Sequence, residues 1–318
     1  MEGGDFKVVV LGSGAAVPTL DRGTTSLCVV YRQYSFLLDA GEGVQIALRK
    51  AKIRFHGLTG VCISHMHGDH VLGLPGLLSS LSMLGRTRAL DVWGPPGLEA
   101  WLQATLAATR THLGYPLLVH VWTEGAAACW SSANLTFSSF PVRHRVPCWG
   151  VRFDEVPRQR KLNKAVLSQL TLDIEALRDL KAGRTATAAD GTPVDPEAVL
   201  LPAVATRSFV YTADTLPCDA VVQAARGADL LFHDATFAEG MRKRAKETGH
   251  STGVQAAEVA RDAGVGRLVL GHISARYAGR ASELIAEASA VFPATEVAVD
   301  GGILELPPRG NEVDKFST

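Results

Sequence analysis

In the first half of the chain, short apolar runs recur between glycine-, proline- and charge-rich breaks. Runs of this length bounded by turn signals predict buried strands. They fall at 7–11, 26–31, 35–39, 60–64, 89–93, 117–122, 135–140 and 150–153, with helical spacing at 74–83 and 98–109. In the second half, strands at 208–212, 229–233 and 267–270 are separated and followed by helices at 219–226, 253–263 and 282–291. Consecutive strands suit hairpins, and strand–helix alternation suits parallel crossovers. Two packed sheets with helices outside, an α/β architecture, fit this pattern better than one doubly wound sheet.

The stretch 155–206 differs. It opens with Arg158-Gln159-Arg160-Lys161-Leu162-Asn163-Lys164, passes through a helix-like segment to Lys181-Ala182-Gly183-Arg184, and turns at Asp190-Gly191-Thr192-Pro193. Few of its residues show core periodicity. It reads as an exposed insertion or, from its basic start, as a surface for phosphates.

Composition narrows the classes. The chain has 318 residues, 47% hydrophobic and 20% charged, which suits a globular protein of one large or two small domains. Lys+Arg and Asp+Glu both total 32, so a nucleic-acid footprint has to be local. No apolar run reaches the roughly 18–20 residues of a membrane span. The acidic start Met1-Glu2-Gly3-Gly4-Asp5 has no signal-peptide character. Cys28, Cys62, Cys129, Cys148 and Cys218 are scattered without a CxxC pair, which argues against a disulfide framework or a cysteine–zinc site. The chain reads as cytoplasmic.

The chemistry concentrates in His65-Met66-His67-Gly68-Asp69-His70, directly after the apolar run 60–64. Two histidines at i, i+2 face one way at a strand end, and Asp69 and His70 occupy the following turn. The motif can serve two neighbouring metal ions. Further ligand types end other predicted strands: His144, Asp214 and His272. His250 precedes a capping box at Thr252 and Gln255, so it sits at a helix N-terminus, where the dipole disfavours imidazolium. A nearby anionic phosphate would offset that. His56, His112 and His120 fit no motif and read as structural or exposed.

With these ligands, the chain resembles the metallo-β-lactamase superfamily and, within it, the ribonuclease Z family of tRNA 3′-processing endonucleases. Further segments carry the likeness: Leu11-Gly12-Ser13-Gly14-Ala15-Ala16-Val17-Pro18, Asp39-Ala40-Gly41-Glu42-Gly43, Gly73-Leu74-Pro75-Gly76-Leu77-Leu78, Gly249-His250-Ser251-Thr252 and Gly271-His272-Ile273-Ser274-Ala275-Arg276-Tyr277. The resemblance implies one metallo-β-lactamase domain over 1–318, an αββα sandwich of two mixed sheets, with 155–206 as a protruding tRNA-binding arm. It also implies two Zn2+ per subunit, Mn2+ being the other candidate. One would be held by His65, His67 and His144, the second by Asp69, His70 and His272, with Asp214 bridging. Asp69 would accept the attacking water's proton, His250 would protonate the leaving 3′-oxygen and Arg276 would contact phosphate. Asp234 stands where relatives carry Glu, and is either the partner that orients His250 or a strand-end structural residue. The substrate would be precursor tRNA, cut to leave a 3′-hydroxyl on the tRNA and a 5′-phosphate on the trailer by a homodimer.

Two segments depart from the family pattern. In Pro18-Thr19-Leu20-Asp21-Arg22-Gly23, Leu20 and Gly23 replace a lysine and an asparagine, and the arm lacks its glycine–proline motif. Two other functions compete: a metallo-hydrolase of small phosphodiesters or related esters, and a tRNA-binding protein without catalysis.

Overall fold

The strands Phe6–Gly12, Ser26–Tyr31 and Leu268–Gly271 are buried almost throughout because each has apolar neighbours on both faces. In the computed structural model, which describes residues 6–123 and 128–309, such strands form two seven-stranded sheets. The acidic residues 1–5 lie outside that description.

The first sheet runs in the order Ile303–Glu305, Phe6–Gly12, Ser26–Tyr31, Tyr34–Leu38, Gly60–Cys62, Leu90–Gly94, Leu117–Val121. It is antiparallel up to Tyr34–Leu38 and parallel beyond. The second runs Thr295–Val297, Leu268–Gly271, Leu230–Asp234, Ser208–Tyr211, Trp149–Glu155, Leu135–Pro141, Trp130–Ser131. Its first four strands are mutually parallel.

Aromatic rings fill the space between the sheets. The Phe36 ring lies 5.3 Å from Phe137 and 5.6 Å from Phe153, and all three are fully buried. Each such ring contributes about 1.5–3 kcal/mol through the water it sheds. On the outer face of the first sheet, Leu48, Leu74, Leu77, Leu81 and Leu102 of three helices cover Val9, Leu37, Val61 and Val92. On the second, Val221, Ala225, Ala256, Ala260 and Leu284 cover Val210, Leu231 and Leu270. The expected αββα layering follows.

The helix Leu74–Met83 has the bounds its spacing predicts. Helices Val44–Lys50 and Arg242–Thr248, and strands Thr295–Val297 and Ile303–Glu305, have no such signal. Only Val44 and Leu48 are buried in the first helix, too few to show a period. Ile303–Glu305 keeps only Leu304 buried and is a strand because Phe6–Gly12 pairs with it.

The region after the fifth strand of the second sheet forms its own compact unit, Glu155–Arg207 with the short segment Ser132–Leu135. Few residues of this insertion show core periodicity in the sequence, yet the unit has a core of its own. Ala176, Leu180, Ala186, Ala188, Val194 and Val199 are buried, with Leu162, Val166, Leu167, Leu170 and Leu172 packed against them. The segments are too short for a visible period: helices Lys164–Leu167, Ile174–Lys181 and Pro196–Val199 and a two-residue hairpin, Ala186–Thr187 with Pro193–Val194. The hairpin closes at the predicted turn, where Asp190 accepts from the Thr192 N–H at 2.9 Å and Gly191 takes a φ of 89°. Asn163, Asp173 and Asp195 cap the three helices.

Candidate metal centre

The carboxyl ends of parallel strands are where open α/β sheets place their chemistry. Asp39 follows Tyr34–Leu38, the hexapeptide follows Gly60–Cys62, Asp214 follows Ser208–Tyr211 and His272 follows Leu268–Gly271. Three residues at these ends hold left-handed backbone without being glycine: Asp39 (φ 56°), Ala213 (φ 55°) and His272 (φ 54°). Such strain costs about 1–3 kcal/mol per residue and persists where surrounding packing imposes it.

All seven ligand candidates converge. His65, His67, His144 and Asp214 form one group, and Asp69, His70 and His272 another, each with ligand atoms within 4.8 Å of one another. In the first, His67 Nδ1 lies 2.9 Å from His65 Nε2 and 3.3 Å from His144 Nε2. In the second, His70 Nε2 and His272 Nε2 are 3.3 Å apart, with Asp69 Oδ2 at 3.4 and 3.5 Å. Asp214 spans both: Oδ2 stands 3.6 Å from His65 Nε2, and Oδ1 3.3 Å from His70 Nε2 and from His272 Nε2.

Partners behind the rings decide which nitrogens are free. His65 Nδ1 donates to Ser64 Oγ (2.9 Å), His70 Nδ1 to Asp39 Oδ2 (2.8 Å), His144 Nδ1 to the Gly249 carbonyl (2.7 Å) and His272 Nδ1 to Thr236 Oγ1 (2.8 Å). Each such bond leaves the Nε2 lone pair facing inward. Ring nitrogens and carboxylate oxygens therefore crowd together at one point. Asp214 Oδ1 is buried without a hydrogen-bond partner. An arrangement this unfavourable for bare protein fits divalent cations, and the N and O donors suit zinc or manganese.

The ionisation preferences agree. Burial lowers the pKa values of His65, His67 and His144, leaving them neutral and able to ligate. Burial also opposes charge on His70, but the Asp214 and Asp39 carboxylates outweigh it and raise that ring well above its usual value. Burial works against ionised Asp69 and Asp214, yet the surrounding histidines hold both well below the usual carboxylate range. The pocket demands positive charge at its centre.

Asp39 was visible in the sequence only as part of a family segment. It is fully buried and accepts from the Ser64 N–H (2.7 Å), the Ser64 hydroxyl (2.8 Å), the Tyr211 hydroxyl (2.6 Å) and His70 Nδ1. The signal was an aspartate ending an apolar run before a glycine turn. Tyr211 gave none, because its role needs the second sheet packed on the first.

His250 stands at the edge of the cluster. Its ring centroid is 5.1 Å from those of His144 and His272, and its Nδ1 donates to Asp234 Oδ2 at 2.8 Å. Asp234 is buried and also accepts from Thr236 N–H, Thr236 Oγ1 and Thr215 N–H, at 2.9, 2.7 and 3.0 Å. Its short side chain reaches because the strand end brings it close. The predicted capping box is present at Thr252 and Gln255. Burial and the helix end both disfavour imidazolium, but the Asp234 charge prevails and raises the His250 pKa to about 9. Arg276 is exposed in the turn Ala275–Tyr277, its guanidinium 5.1 Å from the Phe237 ring centroid, and it donates to Ser274 Oγ at 3.1 Å and to Met241 Sδ at 3.0 Å. His120 pairs with Asp91 at 2.7 Å and stacks on Trp93, a structural placement.

The chain is similar in sequence to known proteins. A model of the anti-Pycsar protein Apyc1 matches residues 6–154, and a β-lactamase superfamily domain matches 171–273. Ribonuclease Z of Synechococcus sp. strain WH7803 is 39% identical over 96% of this chain and 97% of its own. Ribonuclease Z of Bacteroides fragilis strain YCH46 is 38% identical over 95% and 99%. The crystal structure of the short form of human tRNase Z superposes with a TM-score of 0.68 at 25% identity, covering 95% of this chain and 99% of that one.

Proposed function

Because the chain belongs to the ribonuclease Z family, we propose that its clustered histidines and aspartates hold two zinc ions that serve tRNA 3′ processing. The chain is a metal-dependent endoribonuclease of tRNA 3′ ends. The observation that carries the two-ion reading is Asp214, whose oxygens face separate histidine groups. One ion would take His65, His67 and His144, and the other Asp69, His70 and His272. Such ions supply Lewis acidity, making water acidic near neutral pH and offsetting charge on the phosphodiester.

The protein's own groups do the rest. Arg276, free of carboxylate partners among the described residues, binds the substrate phosphate. Asp69 accepts the attacking water's proton as the water oxygen bonds to phosphorus. The bond from phosphorus to O3′ breaks, and His250, protonated and pinned by Asp234, gives its Nε2 proton to that oxygen. The tRNA keeps a 3′-hydroxyl and the trailer a 5′-phosphate. The test is cleavage of a precursor tRNA with both new ends mapped. Hydrolysis of small phosphodiesters alone would favour the metallo-hydrolase reading, and tRNA binding without cleavage the non-catalytic one.

The unit 155–206 is read as the arm that grips tRNA, although Arg160 is committed to Glu197 and to backbone carbonyls inside it. Arg158 and Lys164 are exposed at its surface for phosphate contacts. Deleting 158–202 should raise KM for precursor tRNA at least tenfold and leave hydrolysis of bis(p-nitrophenyl) phosphate within twofold. Equal losses on both substrates would remove the arm from the account. In the cell the reading is a cytoplasmic homodimer; no helix among the described residues is long and apolar enough to cross a membrane.

A further inference from the structure

The turn between Thr295–Val297 and Ile303–Glu305 carries a carboxylate that the cleavage chemistry leaves unused. Asp300 Oδ1 accepts the Ser13 hydroxyl at 2.6 Å, and its Oδ2 accepts the Gly23 N–H at 2.6 Å. Arg22 Nη1 donates to Ser13 Oγ and to the Ala298 carbonyl, each at 2.6 Å, so this guanidinium is engaged inside the protein. The turn is registered on the first strand by Gly301 N–H to the Val10 carbonyl (2.8 Å) and Val10 N–H to the Gly302 carbonyl (2.9 Å). Asp300 therefore ties the end of the first strand, the 18–23 loop and the C-terminal turn together at one point.

Two short paths lead from that point to metal ligands. The Ser13 carbonyl accepts the N–H of Ile273, next to His272, at 2.9 Å, and Gly14 and Ala15 pair in parallel with Ile273 and Ser274. Ala16, held at a φ of 59°, donates its N–H to Asp69 Oδ2 at 2.8 Å. A left-handed alanine needs its surroundings to impose that backbone. Here the Gly23 carbonyl accepts the Gly14 N–H at 2.9 Å, and Gly23 is itself bound by Asp300. Both paths end in the Asp69, His70 and His272 group. Neither touches His65, His67 or His144.

We propose that Asp300 is a positioning residue for the Asp69–His70–His272 half of the metal centre, acting through Ser13 and the 18–23 loop on the backbone that orients Asp69 and His272. The inference rests on the two-ion reading above. Removing the clamp loosens one half-site and spares the other. Partners behind metal ligands change metal affinity about 10–100-fold, and a residue one step farther back belongs at the lower end.

The experiment measures zinc stoichiometry and affinity on the full-length protein by competition with a chelating dye, alongside thermal unfolding. Asp300→Ala should weaken one of two zinc ions about tenfold and leave the other unchanged. Asp300→Asn, which keeps one acceptor, should lose less, and it carries the test if the alanine variant does not fold. Val221→Ala, buried on the outer face of the second sheet, serves as a control for general destabilisation. Two zinc ions bound equally tightly by wild type and both Asp300 variants would overturn the inference alone. So would an equal loss of the second ion in Val221→Ala at matched stability. A wild-type protein that binds fewer than two ions would overturn the two-ion reading itself, and the inference with it.

Discussion

Asp214→Asn should lower kcat/KM for precursor tRNA by about three orders of magnitude or more, because metal charge stabilisation of several kcal/mol is at stake. The side chain keeps its shape but loses its charge, and one of two ligand oxygens becomes an N–H donor. Its Oδ2 faces His65 at 3.6 Å, while Oδ1 faces His70 and His272 at 3.3 Å, so both half-sites lose a ligand or a counter-charge at once. Zinc content should fall with activity. A variant that retains two zinc ions and normal turnover would end the bridging assignment.

His250→Ala should lower kcat about 10²- to 10⁴-fold, the usual contribution of general acid catalysis, with zinc content unchanged. The loss depends on the leaving group. O3′ of a nucleotide is a poor one and needs the proton, whereas p-nitrophenolate leaves without help, so the nitrophenyl ester should lose far less. Equal losses on both would make His250 a structural residue. Asp234→Asn adds a pH signature. Burial disfavours charge on His250, and Asp234 raises its pKa to about 9. The imidazolium is therefore present below that value and lost above it. Without the Asp234 charge the pKa falls, and the alkaline limb of the kcat profile should move to lower pH. Below the lowered pKa the variant should approach wild-type turnover.

Reading the chain correctly depended on how local each signal was. The hexapeptide 65–70 was legible as a candidate metal motif because residues spaced two and five apart at a strand end share one neighbourhood whatever the rest does. The helix Leu74–Met83 was legible because ten residues show a full helical period. The arm's core was not, since its helices of four to eight residues bury at most two side chains each. Asp39 looked like a turn residue until the first sheet brought Ser64 to it and the second brought Tyr211.

By itself the sequence determined the candidate ligand types, the paired sheets and the family, because these depend on residue identity and short-range period. Tertiary structure decided which nitrogen of each histidine is free, that Asp214 faces two groups at once, and that Asp234 reaches His250. It also joined Asp300 to Ser13 across 287 positions. Such contacts arise where strands from opposite ends of the chain lie side by side, and their direction and protonation depend on neighbours that no local pattern names.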